Sequence, residues 1–279
     1  MIRLLSPILL FLLWSTCSAN LQGDQQSRQA TTSPLTVTYI ANEGVLISNG
    51  DKQVLIDGLH RKYKPDYLFP PQPLLESMEA ARPPYDKIDV ILVSHPHLDH
   101  FHPESVGRFL KNNRDAVLVT SEQIAERLKK EFTGFKDIES RVKQDTAAWK
   151  MTIGRNEAGI GLTTLGLRHG GPQFATVQNM GYIVAVNGRK LLHIGDADMS
   201  EENFASFNLP GEAIDVAFIP YWFLLSEKGR GLVKNHIQPK HVIAVHVPPA
   251  EADSVSEQLR NVAPDVIVFT KTMESRTFP

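Results

Sequence analysis

Residues 91–103 read ILVSHPHLDHFHP: a greasy run stops at Val93, and His95 to His102 then hold four of the chain's ten histidines and an aspartate. Imidazoles are costly to bury side by side unless something partners them. The preceding IDVILVS, residues 88–94, is a continuous apolar run of the kind that forms a strand buried on both faces. At its end the chain turns and projects side chains from one edge of a sheet. In extended backbone, residues two apart point the same way, so His95 and His97 aim at one point. Asp99 and His100, beyond the bend, aim at a second point nearby. Imidazole nitrogens and a carboxylate suit Zn²⁺ and similar divalent ions. One ion takes about three protein ligands plus water, so this cluster implies two ions and further ligands elsewhere.

Other strand ends supply them. His169 closes LTTLGLRH and is followed by Gly170 and Gly171, Asp196 follows Gly195 in LLHIGDAD, His246 closes HVIAVH, and Asp57 closes VLID. Asp198 competes with Asp196 but suits a loop or cap before the helix at Ser200. His102, just before Pro103, reads as a helix cap, His193 as a packed strand residue, and His60, His236 and His241 as surface or loop positions. Tyr221 and Trp222, with Phe223, follow Pro220 at a strand end and line a substrate pocket or form a lid on the core. Tyr63, Tyr67 and Phe69 in a proline-rich insert present the same choice.

Around these points, short β-type runs alternate with helical patterns. LTVTYIANEGVLISNGDKQVLIDG, residues 35–58, gives two or three strands with a hairpin turn at Asn49-Gly50. A short helix is expected near Leu74–Ala81, a second opens at Pro103, and a third carries Ile124, Leu128 and Phe132 behind a Thr120/Gln123 capping box. Strands follow at GIGLTTLGLRH, GYIVAV, KLLHIGD, IDVAFIP, HVIAVH and DVIVF, with helices near Ser200–Phe207 and over DSVSEQLRNV. Two packed sheets with helices outside bury these runs, which makes one α/β layered domain over residues 35–279.

The bulk numbers narrow the function. A chain of 279 residues with formal charge −2 and pI near 6.6 lacks the basic footprint of a nucleic-acid binder. Arg3 followed by an apolar run from Leu4 to Trp14 and small residues to Ala19 has the three-part pattern of a secretory signal peptide, too short to span a bilayer. Residues 20–34 form a polar linker. The sole cysteine, Cys17, sits in WSTC, a faint likeness to a lipidation box that would make it a lipid anchor. The expectation is a secreted or periplasmic protein with no thiol ligand or nucleophile in its folded part.

The arrangement His95-x-His97-x-Asp99-His100, with His169, Asp196 and His246 following in order, resembles the metallo-β-lactamase superfamily over roughly residues 35–270. IPYWF and QPKHVIAVH look most similar to the branch containing ascorbate-6-phosphate lactonase and N-acyl phosphatidylethanolamine phospholipase D. The resemblance implies a four-layer αββα sandwich. It implies one ion on His95, His97 and His169, a second on Asp99, His100 and His246, Asp196 between them, and Asp57 behind the ligands. The ions would be two Zn²⁺, with Mn²⁺ or Fe²⁺ as substitutes. Two ions about 3.5–4 Å apart bring a shared water to hydroxide near neutral pH, ready for a carbonyl or phosphorus of a small-molecule substrate. The proton for the leaving group comes from water, Asp99 or a pocket tyrosine. An ester or lactone ranks first, a phosphodiester second, an amide or β-lactam third. A non-catalytic binding protein of the same fold is the rival reading. A di-iron redox role ranks last, because His97 stands where such sites carry glutamate.

Overall fold

In the computed structural model, which describes residues 34–278 except Pro65, the β-type runs assemble into two seven-stranded mixed sheets. In the first, β1 (Leu35–Ala41), β2 (Gly44–Ser48) and β3 (Gln53–Ile56) are antiparallel. From β3 the sheet continues in parallel through β4 (Val90–Val93), β5 (Val117–Thr120) and β6 (Val142–Gln144). The second sheet repeats the plan: β7 (Thr152–Glu157), β8 (Ile160–Arg168), β9 (Gln178–Val186) and β10 (Arg189–His193) are antiparallel. β11 (Val216–Pro220), β12 (His241–Val245) and β13 (Ile267–Val268) then run parallel to β10, and β14 (Ser275–Phe278) returns to pair with β1.

Side-chain alternation sorts these strands into layers. On β4, Val90 and Leu92 join the cluster between the sheets, with Val37, Val184 and Phe218. Ile91 and Val93 point the other way, to α1 (Gln72–Glu79), α2 (Pro103–Asn112) and α3 (Glu122–Glu131), through Met78, Phe109 and Leu128. The outer face of the second sheet is covered by α4 (Glu201–Phe204), α5 (Leu209–Glu212), α6 (Tyr221–Leu225), α7 (Glu227–Leu232) and α8 (Ala252–Val262), through residues such as Phe204, Phe223 and Leu259. The result is the expected αββα sandwich. Among the described residues no helix is long and apolar enough to cross a membrane. The leader, Cys17 and the linker lie outside the described residues, apart from Pro34.

Several local expectations need correcting. α3 has no capping box. Thr120 ends β5 and its hydroxyl donates across to the Val93 carbonyl at 3.1 Å. The first helix amides go instead to distant side chains, Glu122 N to Thr146 Oγ1 and Gln123 N to Gln178 Oε1. The helix expected to reach Phe207 stops after one turn, where buried Asn203 bonds the carbonyls of Arg168 and Asp198. His102 occupies the N-cap position of α2 but its side chain caps nothing. His60 is a loop residue yet wholly buried, its ring bridging the carbonyls of Asp57 (2.9 Å) and Leu68 (3.2 Å).

Candidate metal centre

Parallel strands end on the same edge of a sheet, and here both sheets bring their ends to one rim. β3 ends before Asp57, β4 before Ser94-His95, β8 before His169, β10 shortly before Asp196 and β12 before His246. The backbone bends sharply there: Asp57 (φ 45°), Gly195 (φ 54°) and His246 (φ 61°) all take left-handed conformations. Strain of that kind concentrates at functional sites. At position 195 a Cβ would lie 2.4 Å from Asn179 Oδ1 and 2.9 Å from Ser94 Cβ, so only glycine lets the chain pass and deliver Asp196. The loops after β8 and β10 are zipped together by Gly170 N to Asp196 O and Asp198 N to Arg168 O, both 2.8 Å, which sets His169 beside Asp196.

All seven candidate ligands converge. His95, His97, His169 and Asp196 form one group, and Asp99, His100 and His246 form another beside it. Asp196 faces both. Its Oδ2 lies 3.7 Å from His95 Nε2 and 3.5 Å from His169 Nε2, while Oδ1 lies 3.6 Å from His100 Nε2 and from His246 Nε2. Asp99 Oδ2 stands 3.5 Å from His100 Nε2 and 3.4 Å from His246 Nε2.

These separations are too long for good hydrogen bonds. They match another geometry: two ligand atoms about 2.1 Å from a tetrahedral ion lie about 3.4 Å apart. His100 Nε2, His169 Nε2 and Asp196 Oδ1 are buried with no hydrogen-bond partner, so the donor set fits a divalent cation.

The far side of three of the rings is fixed. Ser94 Oγ donates to Asp57 Oδ2 at 2.5 Å, so His95 Nδ1–H donates to Ser94 Oγ at 3.0 Å and its Nε2 faces the cage. His100 Nδ1 donates to Asp57 Oδ2 at 2.9 Å, and His169 Nδ1 donates to the Gly170 carbonyl at 2.7 Å. Partners behind the ring set the tautomer and aim a lone pair forward. Asp57, which also accepts from Ser94 N at 2.8 Å, is the hub of this support.

Electrostatics divides the cage. Burial, together with the neighbouring imidazoles, holds His95 and His97 below the ordinary histidine pKa. Burial opposes charge on His100 and His246 too, but Asp196 and Asp99 outweigh it, raising His100 well above its usual value and pushing His246 up to about 10. Asp99 is likewise penalised by burial, yet His100 and His246 carry it far below the carboxylate range. Asp196 follows the same logic.

Two residues of the β1–β2 turn escaped the sequence reading. Asn42 Nδ2 donates to the Asp99 carbonyl (3.2 Å) and to Asp99 Oδ2 (3.1 Å), and the Asn42 carbonyl accepts from His246 N at 3.0 Å. Glu43 is fully buried, with neither carboxyl oxygen hydrogen-bonded, 3.6 Å from His193 Nε2 and 4.0 Å from His100 Nδ1. Burial and Asp196 raise its pKa well above normal. Glu43, Asp57 and His193 cluster like ligands, but His193 Nδ1 already accepts from Gly195 N and its Nε2–H points at the Glu43 carbonyl. Both oxygens of Asp57 already accept hydrogen bonds as well, so this cluster offers a cation little. A buried acid between two apolar strands was the one sequence signal available.

The mouth of the cage is a hollow of about 410 Å³ lined by Tyr67, Phe174, Met199 and Trp222 beside His169, Asp196 and His246. Trp222 lines this hollow and also packs against the outer core. Tyr221 packs edge-on behind it at 5.6 Å and does not line the hollow. Asp198 reaches the rim but not the ligand groups.

Residues 53–269 match the profile of the beta-lactamase superfamily domain. A UPF0173 metal-dependent hydrolase of Bacillus velezensis is 24% identical over 218 residues, covering 74% of this chain and 90% of that protein. Among solved structures, isothiocyanate hydrolase from Delia radicum gut bacteria superposes with a TM-score of 0.60 at 13% identity, over 87% of this chain and 99% of that one. The metallo-beta-lactamase fold protein YhfI from Bacillus subtilis does so with a TM-score of 0.57 at 14% identity, over 88% and 100%. From the domain match and the αββα frame around its seven-residue cage, this chain belongs to the metallo-β-lactamase superfamily.

Proposed function

We propose that the chain is a metal-dependent hydrolase holding two divalent ions, zinc or alternatively manganese or iron, that cleaves an ester or lactone, with a phosphodiester as second choice. The observation that carries this reading is the set of 3.4–3.7 Å contacts between ligand atoms. His95, His97 and His169 would hold one ion, Asp99, His100 and His246 the other, and the two oxygens of Asp196 would serve both. When bound, such ions act as Lewis acids and make water a competent nucleophile near neutral pH. The chain's own share is to fix the cage from behind through Asp57, Ser94 and Asn42. Asp99, steadied by Asn42 and held as a carboxylate, would serve as a ligand and as the acceptor for a proton released by the nucleophile. The homology to a protein described as a metal-dependent hydrolase supports the same class. Export to the periplasm or beyond is proposed from the leader sequence alone.

The test is to purify the chain, count metal by mass spectrometry and assay esters, lactones and phosphodiesters with and without a chelator. Turnover should vanish on stripping and return with Zn²⁺ or Mn²⁺. Undiminished hydrolysis by metal-free protein would refute the proposal.

A narrower result is expected at Asn42. Asn42→Ala removes the amide that steadies Asp99, and losing such a partner typically weakens a metal about 10–100-fold. One of two ions should be lost preferentially to a weak chelator while the other stays. Equal retention of both by the variant would show that the turn does not support the cage.

A further inference from the structure

We propose that the hollow over the cage selects an uncharged substrate with an apolar, ring-sized group, gripped by Tyr67, Phe174 and Trp222 and with anions turned away by Asp198. This rests on the hydrolase reading above and specifies its substrate.

The three rings come from unrelated parts of the chain: the loop before α1, the turn after β8, and α6. Each packs steeply against a candidate ligand. Tyr67 lies 5.3 Å from His246 at 82° and Trp222 4.9 Å from it at 71°. Phe174 lies 4.7 Å from His97 at 66° and 4.8 Å from His169 at 60°. They therefore steady the imidazoles and at the same time wall the approach to them. All three, with Met199, are only half-buried: Met199 and Trp222 pack in part against the outer core, and the apolar surface left over on the four faces the hollow. Aromatic walls around a few polar groups are the usual make-up of a small-molecule site, and about 410 Å³ lies at the small end of such sites.

Charge decides between substrate classes. Among the described residues no lysine or arginine lines the hollow, and the charged side chains there besides histidine are Asp196 and Asp198. Arg168 belongs to the adjoining hollow, where its guanidinium lies over the Trp149 ring at 3.2 Å from the centroid. An anionic group away from the scissile bond would lose its hydration with no basic side chain beside it to replace that hydration, and Asp198 would oppose it. A neutral ring loses nothing of the kind and gains burial against three aromatic faces.

Binding can be measured without turnover. The zinc-loaded protein is titrated calorimetrically with 3-phenylpropanamide, an uncharged, uncleaved probe, and with its para-carboxylate analogue. The neutral probe should bind about tenfold tighter. Trp222→Ala should weaken it about tenfold with zinc content retained, Trp222→Phe should restore most of that loss, and Asp198→Asn should narrow the gap between the probes. Equal or tighter binding of the carboxylate, no binding of the neutral probe, or an unchanged neutral affinity in Trp222→Ala would overturn the proposal. Absence of hydrolysis alongside the expected binding pattern would instead remove the hydrolase reading and leave the pocket assignment standing.

Discussion

Asp196→Ala should empty both halves of the cage at once. One carboxylate reaches the two groups, Oδ2 toward His95 and His169 and Oδ1 toward His100 and His246. Removing it takes a ligand and a negative charge from each ion together, and leaves a cavity lined by imidazoles that repel one another when charged. Purified variant protein should carry only residual zinc, and kcat/KM should fall by roughly 10³-fold or more, since the nucleophile and the stabilisation of developing charge go together. His97→Ala is a milder lesion, because His97 belongs to one group only. The informative control is Asp198→Ala, two residues along. Asp198 lies on the rim outside both ligand groups, so its loss should leave the zinc in place. If Asp196→Ala kept most of its metal, or Asp198→Ala lost it, the sharing of one aspartate between two ions would be wrong.

The sequence favoured Asp196 over Asp198 through its place directly after a glycine and through the family pattern, and the structure adds the reason for the glycine: at position 195 no Cβ fits. The histidine cluster was legible for the same kind of reason, a turn after an all-buried strand. Central strands read well because they are continuous apolar runs. The edges did not. β7 carries Thr, Gly, Arg, Asn and Glu in a half-exposed alternation, and β14 is largely polar, so neither has the β-branched density that marks a strand. Asn42 and Glu43 were hidden because their partners are far along the chain, at Asp99, His193 and His246. The aromatic wall was half visible. Trp222 follows a strand end, as a site residue often does, whereas Tyr67 and Phe174 sit on loops whose course no periodicity reports. Tyr221 looked equivalent to Trp222, but adjacent residues in a helical turn point about 100° apart and only one can face the hollow.

In metal-free protein the two halves of the cage should respond oppositely to protons. His246 is held up to about 10, against an ordinary 6.5, by Asp196 and Asp99 acting against burial. A histidine raised on folding stabilises fully below its unfolded pKa and loses that contribution as pH climbs through the folded one. The window is therefore about pH 6.5 to 10. The ceiling is about 5 kcal/mol at 1.36 kcal/mol per unit, counted once because Asp99 and Asp196 report the same attraction from the other side. Thermal melts of stripped protein should drop by roughly 10 °C between pH 6.5 and 9.5. His246→Gln should flatten most of that slope, and zinc should abolish it by taking the proton's place. The His95/His97 end lies below the ordinary value and is proton-free near neutrality, so its ion need displace no proton. On acidification the ion at the Asp99/His100/His246 end should leave first, because protons compete for His100 and His246 well above the pH at which they reach His95. A stripped protein whose melting temperature is level from pH 6.5 to 9.5, or a His246→Gln variant with the wild-type slope, would mean that these charges do not pair as the geometry implies.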